Sequence, residues 1–288
     1  IYTGPKVGGL LNATMANIPE LLIGVFAVKA GYYSLVMASM AGSIIGNILL
    51  VLGFSIFLGG MKFKFQQFNK GLARSNFSLL SFAALCIIIP ATFNYTARSS
   101  GHDESGIICI SLGIAIMMIV IYITGLVFSL LTHRNVFVQH DDTKDEEIEE
   151  PPKWSLGTAI GILAFTALCV AVMSHTLVDT VEYVVREFGM PEVFIGIIII
   201  PILGNVAENV SAIWMAMKNK VDISVEIAAG SSVQVALFVS PVLIIVSFLT
   251  GKPMAYVFSP FEIVAVLLAI GMGLYVFQDG KTNWFEGN

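Results

Sequence analysis

Asn17-Ile-Pro-Glu20 and Asn205-Val-Ala-Glu208 are two copies of one short block, Asn-x-x-Glu, each set in a long apolar stretch. The copies lie 188 residues apart (20 to 208), and Gly42-Ser43 falls on Gly230-Ser231 at the same offset (42 to 230). Ala41/Ala229, Leu49/Leu237 and Ile56/Ile244 keep it too. An ionisable residue in a membrane span costs about 2.5–3.5 kcal/mol on insertion scales, so its retention there marks a functional site. Two such residues at equivalent places in two halves point to one shared site.

The surroundings are those of a membrane protein. Of the 288 residues, 56% are hydrophobic and 12% charged, against about 25% charged in a typical soluble domain. A spanning helix needs about 20 mostly apolar residues. Such stretches lie near 8–30, 33–60, 76–97, 105–131, 154–175, 191–217, 223–250 and 257–277, which predicts eight helices. The chain opens on Ile1, which reads as a fragment or a processed form, and its first residues do not read as a signal peptide. Cys86, Cys109 and Cys169 lie singly in apolar runs, fit neither a disulfide framework nor a zinc motif, and read as buried small hydrophobes. No basic patch laced with aromatics suggests nucleic acid.

Threading eight spans alternately puts eleven lysines and arginines on one side (Lys6, Lys62, Lys64, Lys70, Arg74, Arg134, Lys144, Lys153, Lys218, Lys220 and Lys281). The other side holds four, namely Lys29, Arg98, Arg186 and Lys252. The richer side is therefore expected to be cytoplasmic. Five spans separate the Glu20 helix from the Glu208 helix, so the two blocks enter the membrane from opposite sides. The expected fold is all-α and polytopic, with two inverted-topology repeats, an arrangement that places a substrate site at the repeat interface near the midplane. Residues 1–133 are expected to form the first repeat and 154–288 the second. Residues 134–153 form an acidic cytoplasmic linker, in which 141–150 carry seven carboxylates and one lysine. Such a run is solvated, and it could also recruit divalent cations at the cytoplasmic mouth.

Around each glutamate the sequence supplies oxygen. Asn12, Thr14 and Asn17 lie near Glu20; Asn205, Asn209 and Ser211 lie near Glu208. Asn17 and Glu20, like Asn205 and Glu208, are spaced i, i+3 and share a helix face. The following spans add Ser43 and Asn47, and Ser231, Ser232 and Gln234. Carboxylates, amide oxygens and hydroxyls are hard ligands of the kind calcium takes, and no His or Cys cluster favours zinc or copper. Pro19 has no N–H to bond the Met15 carbonyl, and Gly204 and Pro201 mark a break before Glu208. Broken helices with free carbonyls are membrane cation sites. For Thr14, Ser211 and Ser232, hydrogen bonding within or between packed helices is an equal alternative. Asp222, Glu226 and Glu262 read as acids favoured at helix N-termini. Metal ligation requires the ionised carboxylate, so a divalent cation and protons would compete for Glu20 and Glu208.

Gly8-Gly9-Leu10-Leu11-Asn12-Ala13-Thr14 running into Asn17-x-x-Glu20-Leu21 resembles the first signature helix of the calcium/cation–proton exchanger family. Gly204-Asn205-Val-Ala-Glu208 followed by Gly230-Ser231-Ser232-x-Gln234 resembles its second. The acidic run and Asp279-Gly-Lys-Thr-Asn283-Trp284-Phe-Glu286-Gly fit it as well. The resemblance implies the sodium/calcium-exchanger-like fold. Measured against the family's usual eleven spans, it also implies two helices before Ile1 and one after Asn288. It makes Glu20 and Glu208 the central calcium and proton ligands, supported by Asn17, Ser43, Asn47, Asn205, Ser232 and Gln234; Asn12, Pro19 and Asn209, from their places in the sequence, are expected to support or gate the site from around it. Three residues depart from the family pattern. Ala16 stands for a usual Gly, Pro19 for a small or aliphatic residue, and Asn209, which cannot titrate, for a frequent His.

The resulting expectation is a secondary antiporter that exports cytosolic Ca2+ in exchange for H+. It would use no resident cofactor and would sit in the lipid bilayer of a prokaryotic plasma membrane, with assembly into identical copies left open. The alternatives are a Na+-coupled or broader-selectivity exchanger of the same fold, and a cation channel. An enzyme is not expected. No His-Glu-x-x-His occurs, the four histidines (102, 133, 140 and 175) lie at span ends or in loops, and Gly280-Lys281-Thr282 lacks the leading glycine of a phosphate loop.

Overall fold

The fold is taken from a computed structural model, which describes residues 15–100, 105–128 and 155–287. Nine helices follow one another among the described residues: α1 (Ile18–Ala30), α2 (Tyr33–Lys62), α3 (Lys70–Ser100), α4 (Ser105–Val127), α5 (Leu156–Phe188), α6 (Glu192–Gly204), α7 (Val206–Met217), α8 (Val221–Leu249) and α9 (Pro260–Val276). Helix is the outcome that bilayer physics requires of a single apolar run, because no water is present to satisfy its backbone. α2, α3, α4, α5 and α8 are each long and apolar enough to span, and α6 and α7 reach that length together across a 64° bend, as a broken span or a re-entrant loop. α9 is a shorter apolar helix, and the stretch that ends in α1 is described from Met15 onward. Each of the eight expected stretches thus carries a helix. Asn12, Thr14 and the acidic linker lie outside the described residues.

Three expectations need correction. α5 runs to Phe188 rather than 175, because polar i, i+4 pairs carry the helix beyond its apolar run. His175 Nδ1 lies 2.9 Å from Asp179 Oδ2, and Arg186 lies 3.5 Å from Glu182. α3 begins at Lys70 rather than 76, since Asn69 Oδ1 accepts the N–H groups of Gly71 (2.9 Å) and Leu72 (3.2 Å) and caps the helix. Of the cysteines only Cys86 is buried; Cys109 and Cys169 are exposed. An apolar residue on an outer membrane helix gains nothing from protein burial, because lipid tails are as apolar as a protein core.

α2 and α8 are the most buried helices, whereas α5 faces outward along its apolar length. α7 packs on the second half of α2, and α1 packs on the second half of α8. These contacts correspond in the two halves. α2 and α8 also carry matching π turns, Gly46–Val51 and Val235–Val239; shifted by 188 residues, the first falls on 234–239. α6 has its own, Ile195–Ile199. α1 leads to α2 through a two-residue turn, where Gly31 (φ 87°) takes the left-handed conformation that a side chain disfavours.

The loops sort to two ends, as alternate threading requires. At one end Lys62 Nζ donates to Met217 O (3.1 Å) and Gln66 Nε2 to Ala216 O (2.8 Å). There too β1 (Gln66–Gln67) pairs antiparallel with β2 (Lys281–Thr282). At the other end Lys252 Nζ donates to Lys29 O (3.2 Å) and Tyr33 OH to Lys252 O (3.2 Å). The connection from α8 to α9 closes with a capping box. Ser259 Oγ accepts from Glu262 N (3.3 Å) and Glu262 Oε2 from Ser259 N (2.7 Å), which bears out the reading of Glu262 as a helix N-terminal acid. Asp222 likewise sits in the first turn of α8, where Oδ1 accepts from Asn69 N.

Candidate cation site

The two Asn-x-x-Glu blocks fold alike. Asn17 (φ −93°, ψ 13°) and Asn205 (φ −105°, ψ 14°) are each a non-helical residue at which one helical segment ends and the next begins. Asn17 O accepts from Leu21 N (3.0 Å) and Asn205 O from Asn209 N (2.8 Å), closing the first turns of α1 and α7. Glu20 and Glu208 therefore stand in the first turn of their helices, where the backbone dipole favours negative charge. In the second half the bend lies at Asn205, not at Pro201. Pro201 sits inside α6, and its carbonyl accepts both the backbone N–H and the side-chain Nδ2 of Asn205 (3.1 Å each).

The breaks bring the halves together. A β-carbon on Gly204 would lie 3.5 Å from Glu20 Oε1, so the Glu20 carboxyl packs against the break of the other half. The charges of Glu20 and Glu208 are near enough to interact, and the Asn205 side chain lies beside Glu20. Asn17 Nδ2 donates to Gln234 Oε1 in α8, a second link across the halves. The pair is not symmetric in burial. Glu20 is 2% exposed, whereas Glu208 is half-buried.

Polar groups here are held without partners. Among the described residues, neither Glu20 oxygen meets a donor in hydrogen-bonding geometry, nor does Glu208 Oε2. Ser43 Oγ, Ser231 Oγ, Asn47 Nδ2 and Asn209 Oδ1 are buried in the same condition. A buried polar group left unpaired costs about 1–3 kcal/mol. Unpaired carboxylate oxygens at Glu20 and Glu208, with Ser231 and Asn209 beside Glu208, suit a site built to hold an ion rather than one built to pack. Among the described residues no three His, Cys, Asp or Glu side chains gather as a metal-holding group. A cation would be held by two carboxylates and neutral oxygens, the donor set of a hard cation.

Of the expected site residues, Asn17 is joined to Gln234 and Asn205 lies beside Glu20. Ser43 and Asn47 lie buried in α2, and Pro19 opens α1 beside Glu20. Ser232 is fully buried in α8, and its hydroxyl donates to Ala228 O on its own helix (2.9 Å). Ser211 is spent in the same way on Ala207 O (2.7 Å). The serine beside Glu208 is Ser231. It stands opposite Ser43 on the 188-residue offset, a signal that already favoured it over its neighbour.

Comparison with known proteins follows the same lines. The sodium/calcium exchanger protein family matches residues 2–131 and 158–288. The chain is 46% identical to the Ca(2+)/H(+) antiporter ChaA of Bacillus subtilis (strain 168) over 288 residues, covering all of this chain and 80% of that protein. It is 40% identical to a Ca(2+)/H(+) antiporter of Synechocystis, again over all of this chain and 80% of the relative. It is 35% identical to a vacuolar calcium ion transporter of Schizosaccharomyces pombe, of which it covers 69%. Among solved structures it superposes on native YfkE with a TM-score of 0.81 at 42% identity, covering 98% of this chain and 79% of the other. An H+/Ca2+ exchanger CAX shares the fold at 18% identity and a TM-score of 0.67, covering 94% of this chain and 67% of that one.

Proposed function

The chain belongs to the sodium/calcium exchanger protein family, and we propose that it is a secondary antiporter that exports cytosolic Ca2+ in exchange for H+ by alternating access. The observation that carries this reading is the packing of the Glu20 carboxyl against the Gly204–Asn205 break that precedes Glu208, with both Glu20 oxygens and Glu208 Oε2 buried outside hydrogen-bonding geometry among the described residues. The names of its relatives, Ca(2+)/H(+) antiporters from two bacteria, support the cargo and the counter-ion.

In this reading residues 1–133 and 154–288 are the two repeats, joined by a cytoplasmic acidic linker, in a prokaryotic plasma membrane. Glu20 and Glu208 bind Ca2+ when ionised and carry protons when it leaves, because ligation and protonation exclude each other on one carboxylate. Asn205, Ser43 and Asn47 complete the oxygen shell. Ser231 serves beside Glu208 in place of Ser232. Asn17 and Gln234 tie the shell together across the repeat interface.

The test is 45Ca uptake into inverted vesicles driven by an imposed pH gradient, with Glu20→Gln and Glu208→Gln beside the unsubstituted protein. Loss of uptake in both variants is the expected result. Uptake at the original rate in either one defeats the shared-site reading. Uptake that follows an imposed Na+ gradient instead would replace H+ as the driving ion.

A further inference from the structure

A π turn changes which backbone donor reaches which carbonyl, and in α8 it leaves one carbonyl in difficulty. Through Val235–Val239 the bonds run from residue i to i−5, and Ser240 N–H donates to Val235 O. In that pattern the next donor, for Ala236 O, is residue 241. Residue 241 is proline, which has no N–H, and the α-type donor for Ala236, Ser240 N–H, is already committed. The missing donor comes from a side chain, since Ser240 Oγ donates to Ala236 O at 3.0 Å.

That hydroxyl is itself held. Its proton is used on Ala236, so in the 2.8 Å pair with Tyr256 the phenol is the donor. Tyr256 lies in the segment between α8 and α9, which buries Met254, Tyr256 and Phe258 on alternate residues. Its backbone N–H donates to Ser111 Oγ in α4 at 2.8 Å, and Ser111 donates on to Ile107 O at 2.7 Å. Ser240 and Tyr256 are each 1% exposed and Ser111 is fully buried, so no water competes for these bonds. α6 provides the contrast. Its π turn also ends with an i−5 bond, Ile200 N–H to Ile195 O, followed by Pro201, but residue 200 is isoleucine and supplies no hydroxyl.

We propose that Tyr256 and Ser240 are positioning residues of the cation site: their hydroxyl relay holds the α8 π turn in register, and with it the Gln234 side chain that receives Asn17. Gln234 immediately precedes the turn. Converting the π turn to regular helix removes one residue from the winding, which rotates one flank relative to the other by about 100°. Gln234 would then leave Asn17, three residues from Glu20. The inference rests on the assignment of that site to Ca2+, and its test separates the two claims.

The full chain is reconstituted as the unsubstituted protein, Ser240→Ala, Tyr256→Phe and Ser240→Ala/Pro241→Ala. Ca2+ uptake kinetics and hydrogen–deuterium exchange of the α8 amides are measured on each. Ser240→Ala and Tyr256→Phe are expected to raise the KM for Ca2+ about five-fold, the worth of one buried hydrogen bond, with kcat within about two-fold. Both are also expected to speed exchange across 235–240. Pro241→Ala restores a backbone donor to Ala236 O but not the acceptor of the Tyr256 phenol, so the double variant is expected to bring KM and exchange back from the Ser240→Ala values toward, without reaching, the original ones. An unchanged KM in both single variants, or no rescue by Pro241→Ala, overturns the proposal. If the unsubstituted protein moves no Ca2+, the assigned cargo fails, and exchange with its rescue still decides the relay.

Discussion

Gly42 in α2 lies so close to Ile197 in α6 that a β-carbon on it would stand 2.3 Å from the Ile197 carbonyl oxygen. Gly196 meets the same face of α2, where its β-carbon would lie 2.5 Å from that of Ala38. Two glycines thus set the distance between the helix before the Asn205 break and the helix that carries Ser43. Gly42→Ala must push backbone against backbone, and overpacking of this kind costs about 1–3 kcal/mol. The expected outcome is a lower melting temperature in detergent and at least a ten-fold loss of Ca2+ uptake. Gly113→Ala, on an exposed face of α4 with nothing within 4 Å, is the control and is expected to leave both unchanged.

The cross-repeat bond from Asn17 to Gln234 is expected to be measurable as a coupling. In a double-mutant cycle of Asn17→Ala and Gln234→Ala, the interaction energy should be about 0.5–1.5 kcal/mol of folding stability. Additive single effects would show that the two amides do not support one another.

Binding of Ca2+ to the folded protein alone should raise its melting temperature, with a gain of about 2.7 kcal/mol at a hundred times Kd. Glu20→Gln removes one of two charged ligands and is expected to abolish that gain. Because Glu20 is 2% exposed and Glu208 half-buried, Glu20→Gln should also stabilise the metal-free protein more than Glu208→Gln does. Equal effects of the two variants without Ca2+ would contradict the asymmetry.

Protons should act as competitive inhibitors of Ca2+ on the face from which Ca2+ binds. The ionised carboxylates ligate and the protonated ones do not, so apparent affinity falls as pH falls, with maximal rate recovered at saturating Ca2+. Initial rates across pH 5.5–8 (roughly the range where carboxyl competition can be followed in vesicles) check this. A KM that does not move with pH would separate proton coupling from the site.

Removing the Ser259 side chain, which caps α9 with Glu262, is expected to cost about 0.5–2 kcal/mol in Ser259→Ala with little change in the KM for Ca2+. Thermal unfolding and uptake on the same preparation separate stability from function here.

The family and the helical, membrane-spanning character were legible early because both rest on local chemistry, whereas eight spans were expected and five helices, or six with the bent pair, are long and apolar enough to cross. Apolar length declares a membrane helix, and a glutamate kept inside one declares a reason for its cost. The 188-residue offset paired Glu20 with Glu208 and Ser43 with Ser231 before any contact was known. Helix ends are less legible at α3 and α5, where the Asn69 cap and the pairs around His175 and Arg186 lie beyond the apolar runs. Cys109 and Cys169 were misplaced for a related reason, since hydrophobicity does not distinguish a face toward lipid from one toward protein.

By itself, then, the sequence determined that this is a helical membrane protein carrying two Asn-x-x-Glu blocks 188 residues apart, each in an apolar stretch. Those facts follow from composition, spacing and the cost of charge in lipid. Tertiary structure decided which oxygens meet. Ser231 stands beside Glu208, Gln234 receives Asn17, and Glu20 is enclosed while Glu208 is half-open. The physical reason is that neighbouring residues on a helix point about 100° apart. Their direction depends on where π turns and breaks interrupt the winding, and packing between the halves sets those positions.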